Sequence, residues 1–142
     1  MSRLLERAPY GPRDDALFLA EMNELTRAHL AGCEPYRRMW PDWHGAERAS
    51  ELPFVHATVF KHVDLRTEGA GIVHQRTLRS SATSGQAPSR VALDAASSEL
   101  QGRSTRAILA DFVGEEKRPL LVLDSAAALR ERGGVSARGA HV

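Results

Sequence analysis

Two short segments of alternating side chains, held apart by a run of small hydroxyl residues, limit what this chain can fold into more than any other feature. In "GIVHQRTLRS" (71–80), Ile72, His74, Arg76 and Leu78 alternate with Val73, Gln75, Thr77 and Arg79, the period of a half-buried strand. "SRVALD" (89–94) is again strand-like. Between them, "RSSATSGQAPSR" (79–90) packs four serines, a threonine and a glycine into twelve positions. The spacing predicts strand, loop, strand over 72–94.

The flanking sequence alternates with helices. "DDALFLAEMNELTRAHLA" (14–31) sets Leu17, Phe18, Met22, Leu25 and Ala28 at helical spacing, with Asp14 and Asp15 at the end that favours carboxylates and Gly32 as its stop. "CEPYRRMWPDWHGAERASELPF" (33–54) holds three prolines and both tryptophans without a sustained period, which predicts an irregular wrap anchored by Trp40 and Trp43. "FVHATVFKHVDL" (54–65) is rich in β-branched and aromatic residues and reads as extended chain or a short strand. After the strand pair, Asp94 or Ser97 can cap a helix running to about Val113, with Leu100, Ile108 and Phe112 as its buried positions and Gly114 as its stop. "PLLVLD" (119–124) has the continuous apolar character of a strand covered on both faces. Ser125 would then cap "AAALRER" (126–132), closed by Gly133 and Gly134. Helix, strand–loop–strand, then helix–strand–helix over 95–132 implies an α/β layer arrangement in one unit, residues 1–142.

Composition removes several function classes. With 19 Lys+Arg against 18 Asp+Glu the net charge is +1, too near neutrality for the footprint of a general nucleic-acid binder. The one cysteine, Cys33, cannot form an internal disulfide and has no paired thiol for a zinc or redox motif, which suits a reducing compartment and a buried, unreactive thiol. Two prolines and a glycine interrupt "MSRLLERAPYGPRDD" before any signal-length apolar run, and nowhere do about eighteen apolar residues follow one another. A cytoplasmic protein that neither spans nor binds a membrane is the expectation. His44, His56, His62 and His74 lack the close pairing of a helical metal site, so no metal ligands are assigned. "GEEKR" (114–118) reads as a solvated turn, and Asp124 as a residue that helps start the last helix or lies where open α/β sheets place ligand groups.

The hydroxyl-rich loop has two readings. Small side chains let backbone N–H groups and hydroxyls converge on an anion such as phosphate. The same composition suits a solvated hairpin loop, and composition by itself favours that plainer reading, since neither G-x-x-x-x-G-K-[ST] nor G-x-G-x-x-G is present.

The order "SSATSGQAPSRVALD", preceded by "LPFVHATVFK" and followed by "RPLLVLDS" and "SARGA", resembles the LuxE-type acyl-protein synthetases, relatives of phenylacetate-CoA ligases among the adenylate-forming enzymes. The resemblance implies the N-terminal part of an adenylation domain: an N-terminal helix, then a mixed sheet with covering helices. In that family the corresponding loop, close to S-S-G-T-T-G-x-x-S-R, holds the ATP phosphates. By position, Ser80, Ser81, Thr83, Ser84 and Gly85 would line the triphosphate, with Ser89 and Arg90 at its exit. Ala82 stands where the family has glycine and Ser84 where it has a second threonine; Lys61 also matches a family position. The implied chemistry consumes ATP with Mg2+, activates a fatty or aryl carboxylic acid as an acyl-adenylate, and passes the acyl group to a thiol. No residue is assigned as catalytic. The family's enzymes run well over twice this length, so the expectation is an incomplete adenylation domain. Its alternatives are a truncated or split chain that acts with a complementary polypeptide, and a small anion-binding module.

Overall fold

In the computed structural model, which describes residues 3–80, 87–116, 119 and 121, the first helix begins where the sequence supplies its cap. Helix α1 (Asp15–Gly32) starts at Asp14, whose side chain accepts the Leu17 N–H at 2.9 Å and so satisfies a donor the helix leaves open. Arg7 holds the other carboxylate oxygen at 2.7 Å and donates to Pro12 O at 3.1 Å. The N-terminal segment, with its 3-10 turn Arg3–Glu6, is thereby folded back on the start of α1.

Gly32 closes α1 by contact rather than by a left-handed turn. A Cβ there would lie 2.5 Å from Glu68 O and 2.6 Å from Thr67 Cγ2, and the Glu68 N–H donates to Gly32 O at 2.8 Å. The chain at 67–68 lies directly on the helix end. The apolar spacing of α1 does not mark its buried face: Leu17 and Met22 are half-buried, Phe18, Leu25 and Ala28 are exposed, and Thr26 and Cys33 are buried. Thr26 is buried beside the Tyr36 phenol, to which its hydroxyl offers a polar partner.

The segment expected to be irregular throughout contains helix α2 (Glu34–Met39). Cys33, in extended geometry, ends α1 and begins α2, and Pro35 sits in the first turn, where its missing N–H costs nothing. Glu34 pairs with Arg37 and Arg38, the latter at 2.9 Å. Six residues are too few to display a helical period, which is why the sequence hides this helix. Beyond it the wrap has the expected tryptophan anchors: Trp40 packs on Phe54 with ring centres 6.1 Å apart, and Trp43 Nε1 donates to Glu51 O at 3.3 Å. Asn23 ties the wrap to α1, donating to Ala46 O at 2.9 Å and accepting the Ala46 N–H at 2.8 Å.

The 54–65 stretch is not a strand. Its middle forms a helical turn, α3 (Val59–His62), set by His56, whose carbonyl accepts the Val59 N–H at 2.9 Å and whose ring meets Thr58 Oγ1 at 2.8 Å. β-Propensity expresses packing against neighbouring strands. None pairs with this segment among the described residues.

Strands β1 (His74–Arg79) and β2 (Arg90–Asp94) pair antiparallel, with a bulge between His74 and Arg76. Helix α4 (Ala95–Val113) follows β2 without a spacer. Both its ends agree with expectation: Asp94 accepts the Ser97 N–H at 2.6 Å, and Gly114 stops the helix at φ 79°, a conformation that favours glycine. Its side chains do not agree. Leu100 is half-buried, but Ile108 is 40% and Phe112 72% exposed; Phe112 rests edge-on against Tyr10, ring centres 5.7 Å apart.

Helices and strands therefore coexist as a mixed architecture, with one antiparallel pair of strands among the described residues. Of the expected strand 119–124, Pro119 and Leu121 are described; neither is in a strand and both are exposed. Its other residues and the helix expected at 126–132 lie outside the described residues. The core of the described residues is thin: only Thr26, Cys33 and Ala46 are buried, while Tyr10, Phe54, Val73, Leu109 and Phe112 stay open to solvent.

Candidate functional site

The hairpin places four expected or neighbouring polar residues at one neck. One step beyond the strands, the Ser80 N–H donates to Ser89 O at 3.1 Å, and the Ser89 N–H donates to Ser80 Oγ at 2.9 Å. The hydroxyl has thus taken over the second bond of a hydrogen-bonded pair, while its own proton stays available to a further acceptor. Because hydrogen-bonded and open pairs alternate along an antiparallel ladder, the next pair inward is an open one, where side chains approach most closely. That pair is Arg79 opposite Arg90. Both are exposed, and among the described residues neither has a carboxylate partner. Two arginines opposed across the ladder at the base of a hydroxyl-rich loop can form a cationic fork suited to oxyanions. Behind it, Arg76 reaches inward and donates to Ser98 Oγ at 2.8 Å, tying β1 to α4.

A second feature lies between α1, α2, α3 and the strands: a cavity of about 450 Å³. Its walls are mainly apolar, with Leu25, Phe60, Leu65, Ile72 and Val91 among them, and its polar groups are His29, Cys33, Tyr36, Thr67, His74, Asp94 and Ser97. Thr67 organises part of this set. Its hydroxyl meets His29 Nδ1 at 2.6 Å, and its carbonyl meets His74 Nε2 at 3.1 Å. A carbonyl only accepts, so His74 Nε2 carries the proton of that bond. His74 Nδ1 is buried with no partner among the described residues.

Electrostatics separates these groups. Burial pushes the His29 imidazole below its ordinary value of 6.5 and the Tyr36 phenol above 10.0, with the Thr26 hydrogen bond opposing the latter. The Ser97 backbone N–H, aided by the Ser97 hydroxyl and by His74, holds the Asp94 carboxyl below its usual range. At neutral pH the cavity therefore carries a carboxylate and an uncharged His29. Cys33 is buried, as its isolation in the sequence suggests.

No family model, curated protein or solved structure matches this chain.

Of the expected phosphate-binding residues, Ser80, Ser89 and Arg90 meet at the hairpin neck; Ser81, Thr83, Ser84 and Gly85, with Ala82, lie outside the described residues, as does Asp124. His56 serves the α3 turn and Lys61 sits half-buried on α3. Among the described residues no three His, Cys, Asp or Glu side chains gather as a metal site requires, and no helix is long and apolar enough to cross a membrane. Sequence reasoning missed Arg79. Its signal was present, since Arg79 and Arg90 bracket the loop symmetrically and any hairpin closed between them sets them opposite each other. The cavity had no comparable signal, because its polar groups come from residues 29 to 97 in four separate segments.

Proposed function

We propose that this chain serves ATP-dependent activation of a carboxylic acid, fatty or aryl, as the N-terminal part of an adenylate-forming domain of the acyl-protein synthetase type. The observation that carries the reading is the Arg79–Arg90 pair at the neck of the 80–89 loop. Like charges opposite one another in a ladder destabilise it, and an anion between them reverses the sign. ATP supplies the adenylyl group: a carboxylate oxygen of the acid bonds to the α-phosphorus, the α–β phosphoanhydride bond breaks, and pyrophosphate leaves. Arg79 and Arg90 would grip phosphate oxygens, the Ser80 hydroxyl, which accepts the Ser89 N–H, would donate its proton to another, and Ser81, Thr83, Ser84 and Gly85 would supply further donors. Mg2+ would accompany the nucleotide.

The test is ATP–pyrophosphate exchange dependent on a fatty or aryl acid, with ATP binding measured alongside. Exchange that disappears when Thr83 and Gly85 are both replaced by valine supports the reading, and Ala82→Gly should strengthen ATP binding or leave it intact. Unchanged affinity in the valine variant removes the loop from the mechanism. Binding without exchange leaves a small anion-binding module.

The thin core and the exposed Phe54, Leu109, Phe112 and Leu121 favour a second reading, in which a complementary polypeptide covers this apolar surface and completes the domain. Exchange that appears only on co-expression of such a half separates it from autonomous activity.

A further inference from the structure

The cavity behind the hairpin is a separate site from the guanidinium fork, and its chemistry has the opposite sign. At about 450 Å³ it has the size of a small-molecule pocket. Apolar side chains of α1, α3 and the 65–72 segment supply most of the wall, and two aromatic rings, Tyr36 and Phe60, face the same space. Among the described lining residues Asp94 is the one carboxylate, and no lysine or arginine balances it. Asp94 accepts the Ser97 N–H on Oδ1 and is also held by the Ser97 hydroxyl; a carboxylate has about four lone-pair positions, which leaves room for a further donor.

We propose that this cavity binds a small organic cation with an apolar body, the simplest being a protonated arylalkylamine, whose ammonium group pairs with Asp94. The apolar wall takes the body of the ligand, and the Tyr36 and Phe60 rings among the lining residues offer the attraction that aromatic rings have for cations. A carboxylate ligand is rejected here by Asp94, so the cavity does not seat the acid of the proposed activation chemistry. The two sites stand or fall independently, because nothing in this one requires nucleotide or the hairpin loop.

Three ligands of matched shape decide it: phenethylamine, phenethyl alcohol and phenylacetate, titrated calorimetrically into the full chain at about pH 8, above the ordinary imidazole range. The expected order is amine, then alcohol about tenfold weaker, then phenylacetate weakest, as loss of a charge-assisted hydrogen bond dictates. Asp94→Asn keeps an equally good helix cap while removing the charge, and should lower amine affinity to that of the alcohol. Ala28→Phe, which adds a ring to the cavity wall from an exposed helix position, should weaken all three ligands. Equal binding of amine and alcohol, tighter binding of phenylacetate, no amine binding, or an Asp94→Asn variant with undiminished amine affinity would each overturn the proposal. The comparison within the unaltered protein holds even if a variant folds poorly.

Discussion

Arg79 and Arg90 stand directly opposite each other at the last rung of the β1–β2 ladder, both exposed and without an acidic partner among the described residues. Stability and anion affinity should therefore move in opposite directions when one of them is reversed. Arg79→Glu turns a like-charge cross-strand pair into an ion pair and should stabilise the fold by about 0.5 kcal/mol in urea denaturation at low salt. Added inorganic phosphate or ATP should raise the melting temperature of the unaltered chain and leave that of the variant unchanged. A variant as responsive to phosphate as the parent would detach the guanidinium pair from anion binding.

The Asn23 side chain bridges α1 to the 40–54 wrap through both its amide atoms, and it also donates to Leu19 O at 2.9 Å. Ala46, its partner, is buried, so truncation removes the partners of a backbone N–H and a carbonyl in a part-buried site. Asn23→Ala should cost about 2–4 kcal/mol. Asn23→Asp retains the acceptor for Ala46 N–H but loses the donor for Ala46 O, and should also be destabilising. Chemical denaturation of both variants measures this directly; a loss below about 0.5 kcal/mol for the alanine would mean the wrap is held elsewhere.

Two glycines in helices should respond to alanine with opposite signs. At Gly32 the new Cβ meets Glu68 O at 2.5 Å, and it must push the 67–68 segment off the helix end. That overpacking should cost about 1–3 kcal/mol, more than the helix propensity gained. At Gly102, inside α4, nothing lies within 4 Å of the new carbon, and alanine should stabilise by about 0.5–1 kcal/mol. Urea midpoints of the two variants moving the same way would contradict the described packing at 67–68.

What could be read from the sequence follows from how local the determining contacts are. Asp94 and Gly114 fix α4 through bonds within one turn of each end, so cap residues alone announce it. The strand pair is likewise visible, because period-two alternation and the loop lie within one continuous stretch. Helix α2 stays hidden: six residues cannot show a period, and Pro35 and Trp40 suggest irregular chain. Helix α3 stays hidden because β-branched residues mark a strand only where a ladder is available, and here His56 and Thr58 set a turn instead. The buried side of α1 depends on partners far along the chain, with Asn23 bound to Ala46 and His29 to Thr67. Hydrophobic spacing cannot report those polar contacts, and the cavity that the His29–Thr67 contact borders was invisible for the same reason. Of the proposed phosphate site, the loop was evident from composition, whereas the arginine pair emerges only when register is applied.

Acid should destabilise the protein in two separable steps, each with a sign fixed by its group. His29 has its folded-state pKa lowered by burial from 6.5, so the unfolded chain binds the proton more readily. Stability is then undiminished above that value and begins to fall as pH drops through it, until the folded imidazole also titrates. Asp14 and Asp94 are held below their ordinary value of 3.8, first by the N–H groups of Leu17 and Ser97 that they cap. Their contribution is present in full above the unfolded carboxylate range and disappears as pH falls through the lowered folded values. Unfolding free energy followed by urea titration from about pH 8 down to pH 2 should therefore decline first in the imidazole range and again in the carboxylate range. His29→Gln should flatten the first decline while leaving the second. Asp94→Asn, which caps as well but does not titrate, should shrink the second and leave the first. A single decline confined to the carboxylate range would mean that His29 is as accessible to protons in the folded chain as in the unfolded one, and would contradict its burial beside Thr67.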